Sequence, residues 1–149
     1  MRVNGCPATI GRCGQNFGQA TVSRNPCSGA ITLNAGAGAD NINVTKGCGD
    51  NYNVAVNGQN FSFTAAEMKN LTIKGGSGND RISVGKGVNV PVNVQGGSGN
   101  DAITNFSNNA NIKGGSGNDQ IRNYANGATI SGGSGNDSIA SLGHGNNIR

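Results

Sequence analysis

The sequence predicts an all-β fold: a right-handed parallel β-roll, or β-solenoid, with 18-residue coils, preceded by an irregular disulfide-bonded β region and a hairpin. Three observations point there. The hexapeptide Gly-Gly-Ser-Gly-Asn-Asp begins at Gly75, Gly96, Gly114 and Gly132, and each copy is followed, two residues after its Asp, by Ile. The Asp positions, Asp80, Asp101, Asp119 and Asp137, are separated by one longer step and then two equal ones. A fixed phase of this kind marks a stacked repeat, which glycine-rich low complexity lacks. Finally, only 34% of residues are hydrophobic and 4% aromatic. That is too little for a conventional core, but a solenoid needs only one or two inward residues per strand.

Taken in order, residues 1–53 form an N-terminal β region holding all four cysteines, Cys6, Cys13, Cys27 and Cys48. Their wide and increasing spacings do not resemble the close pairs of zinc ribbons. Two disulfides are expected, in any of three connectivities, and they imply an oxidising compartment; the plainer reading is four buried thiols. In the same region Ala35-Gly36-Ala37-Gly38-Ala39-Asp40-Asn41-Ile42 keeps the Gly-x-Asp-x-Ile tail of the repeat. No second such turn lies one coil away in sequence, so Asp40 is expected to make an ordinary Asx turn.

Residues 54–74 lead into the solenoid. Val54-Ala55-Val56 and Asn60-Phe61-Ser62-Phe63 flank Asn57-Gly58, the favoured type I′ hairpin pair. Thr64-Ala65-Ala66-Glu67 then reads as a capping box for about one helical turn.

Residues 75–149 are the coils. Between motif copies, Asn105–Lys113, Asn123–Ser131 and Ser141–Arg149 align, with Ala110, Ala128 or Asn146 at the Asp position. One coil is therefore a glycine-aspartate turn, a short strand, a neutral Asn/Gly turn and a second short strand. Ile82, Ile103, Ile121 and Ile139 should form one internal ladder, and Ile73, Val94, Ile112, Ile130 and Ile148 another. Phe106, Tyr124 and Leu142 should add a third column, and the three extra residues of the long coil should bulge on the neutral edge near 84–91.

The spacing of the acidic turns carries the chemistry. Stacked strands lie about 4.7–4.9 Å apart, and Ca²⁺ takes oxygen ligands at about 2.3–2.6 Å, so an ion midway between two turns reaches both. Gly76, Gly78, Gly97, Gly99, Gly115, Gly117, Gly133 and Gly135 can adopt positive φ and turn carbonyl oxygens toward such an ion. Without a cation, carboxylates at that spacing repel by roughly 1 kcal/mol in water and about 3–4 at an effective dielectric of 20. Oxygen-only donors favour hard cations, and a flexible carbonyl cage favours calcium over magnesium. The metal ligands expected are thus Asp80, Asp101, Asp119 and Asp137 with those glycine carbonyls, making three inter-turn sites. The opposing reading is a metal-free solenoid using Gly-Asn-Asp only as turn chemistry.

These turns resemble the calcium-binding β-roll of the RTX (repeats-in-toxin, haemolysin-type) family over residues 75–149. The family's usual tandem carries the motif every nine residues, whereas here every second copy is replaced. The resemblance implies calcium as the bound ion and an exported protein. Family relatives carry export information at the C terminus, and no such tail is visible here.

Formal charge is +4, from 11 basic and 7 acidic residues. Lys74, Arg81, Lys113, Arg122 and Arg149 fall on outward strand positions, read here as a solvated face. No charge run or regular aromatic interleaving supports a nucleic-acid surface. Catalysis finds little support: the single His144 lies in a neutral turn, the single Glu67 is engaged in the cap, and no nucleophile elbow or P-loop occurs. No segment reads as a membrane span or signal peptide. The expectation is a non-catalytic, calcium-binding structural solenoid of a secreted or surface protein. The alternatives are a subunit that self-associates end to end through its open coils into a fibre, and an accessory module of a secreted hydrolase or effector. An ice-binding surface is disfavoured, because the outward columns mix Lys, Arg, Gln and Ser.

Overall fold

The structure, a computed structural model of the chain, describes residues 21–25 and 28–149 in full; ahead of them it describes the strand backbone at 2–3, 6–7, 15–17 and 20. β1 (Arg2–Val3) and β2 (Cys6–Pro7) form an antiparallel pair. β3 (Gln15–Phe17), β4 (Ala20–Arg24) and β5 (Ile31–Ala37) run antiparallel to one another. β6 (Asn41–Lys46) is followed by an antiparallel excursion, β7 (Asn51–Val56) and β8 (Gln59–Thr64). Strands then alternate between two sheets. β9 (Leu71–Ser77), β11 (Val92–Ser98), β13 (Asn111–Ser116), β15 (Thr129–Ser134) and β17 (Asn147–Ile148) extend one. β10 (Arg81–Val84), β12 (Ala102–Asn105), β14 (Gln120–Asn123) and β16 (Ser138–Ser141) extend the other.

Every pairing along the stack is parallel and in register. Asn93 faces Asn111 and Ile103 faces Ile121, each one regular coil further on, while Ile73 faces Val94 across the longer coil. The fold is therefore a parallel β-solenoid. The extra length lies at 85–91 on the neutral edge, where Val88 and Val90 fold inward and are buried. The stack also begins earlier than the repeat does. β5 pairs in parallel with β9 and β6 with β10, so residues 31–46 form a coil of their own. Residues 47–70 leave that coil and return to it.

Alternation of burial along each strand sends one side chain in two into the space between the sheets. Leu33, Ile73, Val94, Ile112, Ile130 and Ile148 line one column, and Ile42, Ile82, Ile103, Ile121 and Ile139 the facing one; on the last coil Ile139 is partly buried and Ile148 is 50% exposed. At the neutral edge Ile31, Leu71 and Val92 stack above Ala110 and Ala128, all buried.

The third column is not internal. Phe106 and Tyr124 do stack, with ring centroids 4.6 Å apart and planes 6° from parallel, but outside the coil; Tyr124 is 44% and Leu142 69% exposed. The residue before each one points inward instead. Asn105 and Asn123 are fully buried, in the column headed by Val44 and Val84. Asn105 Nδ2 donates to Asn123 Oδ1 (2.8 Å) and to Ser107 O (2.8 Å), and Asn123 Nδ2 donates to Ala125 O (2.8 Å). The amides thus satisfy turn carbonyls and each other in a dry site. Asn123→Leu should lower stability by about 1–3 kcal/mol, because Asn105 loses an acceptor and the Ala125 carbonyl its donor. Urea denaturation in saturating calcium measures this, and an unchanged midpoint would show that the ladder contributes nothing.

The hairpin forms as its sequence indicates. Asn57 and Gly58 take φ values of 51° and 86° at its tip. The capping box closes reciprocally: Thr64 N–H donates to Glu67 Oε2 (2.8 Å) and Glu67 N–H to Thr64 Oγ1 (3.2 Å), around a turn instead of a helix. Of the four cysteines expected to pair, Cys48 is exposed, as a free thiol, in the turn joining β6 to β7. Cys13, Cys27 and the side chain of Cys6 lie outside the described residues.

Candidate metal centre

Asp80, Asp101, Asp119 and Asp137 fall in one column along one edge of the solenoid, as the motif spacing requires. Each carboxylate reaches back one coil. Asp80 N–H donates to Asp101 Oδ1 (2.8 Å), Asp101 N–H to Asp119 Oδ1 (2.9 Å), and Asp119 N–H to Asp137 Oδ1 (3.0 Å). The preceding asparagines bond in the opposite direction: Asn100 N–H donates to Asn79 Oδ1 and Asn118 N–H to Asn100 Oδ1, both at 2.8 Å. Asn and Asp together therefore lock each turn to its neighbours on both sides.

The second carboxylate oxygen has no such partner. Oδ2 of Asp80, Asp101 and Asp119 is buried and accepts no hydrogen bond, on residues only 2% exposed. A buried, unpaired carboxylate oxygen is costly. The electrostatics agree. Burial pushes the Asp101 carboxyl up to about 6; the hydrogen bond from the Asp80 N–H opposes this, and the charges of Asp80 and Asp119 add to it. Asp80 and Asp119 are raised in the same way, by burial first.

Glycines shape the space around these oxygens. A Cβ placed on Gly96 would run into Asp101 Oδ2 and the carbonyl oxygen of Gly114, well inside the 3.0 Å that real Cβ atoms keep. The first glycine of each copy, Gly75, Gly96, Gly114 or Gly132, is thus what admits the carboxylate, and reasoning from carbonyl donors alone missed it. The signal was present, since the motif opens on Gly-Gly. The glycines at the second and fourth positions of each copy take positive φ. Gly97 and Gly99 have φ of 124° and 122°, and they lie directly on the carbonyl oxygens of Gly76 and Gly78.

The donors at this edge are one carboxylate per coil plus main-chain oxygens. Among the described residues no three His, Cys, Asp or Glu side chains converge. An all-oxygen set with an unpaired buried carboxylate suits a hard cation. The opposite edge offers no counterpart, as Ala110 and Ala128 are buried there and Asn146 Oδ1 accepts the Ala128 N–H (2.7 Å).

Asp40 requires a correction. Its turn is not isolated, because the return of the chain after residue 70 stacks the Asp80 turn directly on it, and Asp40 N–H donates to Asp80 Oδ1 (2.9 Å). The long separation of the two along the chain hides that neighbour from a reading of local spacing.

A stack of short parallel strands with close-packed glycines and an Asp at each turn of one edge, buried at all but the last turn, defines the class: a β-solenoid of the β-roll kind. Residues 72–91, 106–122 and 126–147 match the family model for the RTX calcium-binding nonapeptide repeat, and this region belongs to that repeat family. No curated protein and no solved structure matches the chain.

Proposed function

We propose that the solenoid is a non-catalytic structural module of an exported protein, that calcium ions held between successive acidic turns make its folded state stable, and that Asp80, Asp101, Asp119 and Asp137 supply the charge. The observation that carries this reading is the run of buried Oδ2 atoms, which find no hydrogen-bond partner among the described residues and which a divalent cation would satisfy. The ligands are these carboxylates and main-chain oxygens of the glycine turns, Gly76, Gly78, Gly97, Gly99, Gly115, Gly117, Gly133 and Gly135. The bound ion supplies charge neutralisation and cross-links adjacent coils. The protein's part is to present oxygen donors at a repeat matched to the ion. An extracellular setting agrees, because modules there bind calcium at about 10⁻⁴–10⁻³ M, in the range of external calcium. No helix among the described residues is long and apolar enough to cross a membrane. His144 is exposed in the last neutral turn, its N–H donating to Asn126 Oδ1 (2.8 Å).

Calorimetric titration tests the assignment through position in the column. Asp119 has a motif turn on both sides and Asp137 on one only. Asp119→Asn should therefore remove or weaken about twice as much calcium binding as Asp137→Asn, and lower the calcium-saturated melting temperature further. Equal effects of the two substitutions, or no calcium uptake by the parent chain, would contradict the shared-column arrangement.

A further inference from the structure

We propose that the calcium column extends one turn beyond the four motif copies, into an inter-turn site between Asp40 and Asp80, and that Asn57 at the hairpin tip is the cap that ends it. The inference rests on the calcium reading of the motif column and adds a site that the repeat pattern does not mark.

The turn at Gly36–Asp40 reproduces the geometry of the motif turns. Gly36 and Gly38 both have φ of 105°, and the glycines of the next coil lie on their carbonyl oxygens: a Cβ on Gly76 or Gly78 would strike Gly36 O or Gly38 O, just as one on Gly97 or Gly99 would strike Gly76 O or Gly78 O. Gly38 N–H donates to Ser77 O (2.7 Å), matching the bond from Gly78 N–H to Ser98 O (2.8 Å). The carbonyl columns therefore run unbroken through the sequence-remote coil. Asp40 is 8% exposed, and its Oδ2 is buried without a partner, like those of Asp80, Asp101 and Asp119. Two successive turns thus each hold a buried carboxylate with an unsatisfied oxygen, the condition that calls for a cation elsewhere in the column.

What differs is how the column ends. In the motif coils Oδ1 accepts the N–H of the preceding Asp, but among the described residues no parallel coil precedes Asp40 in this stack. Asn57 Nδ2 takes that place, donating to Asp40 Oδ1 at 2.8 Å. Asn57 is held there from both sides: Asn41 N–H donates to its Oδ1 (2.8 Å) and its own N–H donates to Asn41 O (2.9 Å). An amide carries no charge to hold a further ion, so the column closes at this point. Ala35 stands in register with Gly75, which places a methyl group where the motif coils have none. The site at Asp40 should accordingly be the weakest of the inter-turn sites and the first to empty.

Native mass spectrometry of the full chain in calcium, compared with Asp40→Asn, decides the matter. That substitution keeps the Oδ1 that accepts from Asn57 Nδ2 and replaces the unpartnered Oδ2 with an uncharged amide nitrogen, so the charge and that ligand oxygen are lost together. The variant should carry one calcium ion fewer than the parent. Identical non-zero counts would overturn the Asp40 site while leaving the motif column intact, whereas no bound calcium in either chain would overturn both readings together. Should the variant fail to fold, anomalous scattering from crystals of the calcium-loaded parent gives the answer. A peak between the Gly36–Asp40 and Gly76–Asp80 turns supports the site, and peaks confined to the motif turns refute it.

Discussion

Chelating calcium at about pH 7.5 should unfold the coils from Leu71 onward, and lowering the pH of the chelated protein to about 4.5 should recover part of the β structure. Both halves follow from the buried carboxylates. At neutral pH the metal-free column stacks like charges one strand spacing apart, and Asp80, Asp101 and Asp119 each keep an unpaired oxygen in a dry turn, so binding free energy becomes folding free energy. Protons offer a partial substitute. The Asp101 carboxyl titrates near 6 in the fold against 3.8 for an ordinary Asp, so the folded state binds the extra proton between those values. A raised carboxyl stabilises the metal-free fold fully below the unfolded pKa, and that contribution disappears as pH rises through the folded one. For Asp101 it is on the order of 2–3 kcal/mol, and Asp80 and Asp119 add in the same direction. Calcium affinity should fall over the same window, because proton and ion compete for one oxygen. Far-UV circular dichroism and thermal melts in chelator, across pH and then with excess calcium, read this directly. Superimposable spectra and melting temperatures with and without calcium at neutral pH would refute the calcium half. A metal-free fold that weakens on acidification would refute the proton half.

The second large effect concerns glycine. Gly97→Ala should cost about 3–5 kcal/mol even in saturating calcium, enough to unfold a marginal domain. Two independent penalties act there. A φ of 124° is a conformation that residues with a Cβ rarely adopt, and the new methyl would drive into the carbonyl oxygen of Gly76. The obstacle is backbone held by strand pairing on both sides, so it cannot rotate away as a side chain would. Gly49→Ala is the control. Gly49 has a φ of 61° with nothing within 4 Å of a new Cβ, so only the conformational cost of about 1 kcal/mol applies. Denaturation of both variants in calcium should separate them by several kcal/mol, and similar losses would mean that the close stacking at Gly97 is not what the fold depends on.

These expectations also show where sequence reading succeeds. The motif turns were legible because their chemistry is local: glycine at positions of positive φ, Asn and Asp at the turn, and Ile two residues on. The regular phase of the repeat then gives the strand register, and with it the Ile82–Ile139 and Ile73–Ile148 ladders. The hairpin at Asn57-Gly58 and the Thr64–Glu67 cap were legible for the same reason, since each is specified within a few residues.

Two features depended on the tertiary structure. Period-two alternation leaves the inward set ambiguous by one residue where polar and aromatic side chains adjoin, and one step moves a side chain to the other face. Hence the apolar Phe106 and Tyr124 lie outside, while Asn105 and Asn123 go in, because their amides can bond to turn carbonyls that Phe and Tyr cannot satisfy. The pairing of Asp40 with Asp80 was hidden most deeply, since it depends on the long excursion at 47–70 returning to the same register. Local chemistry thus determined what kind of turn each segment makes. Which turns become neighbours was decided by strand pairing, whose hydrogen bonds act between segments regardless of their separation along the chain.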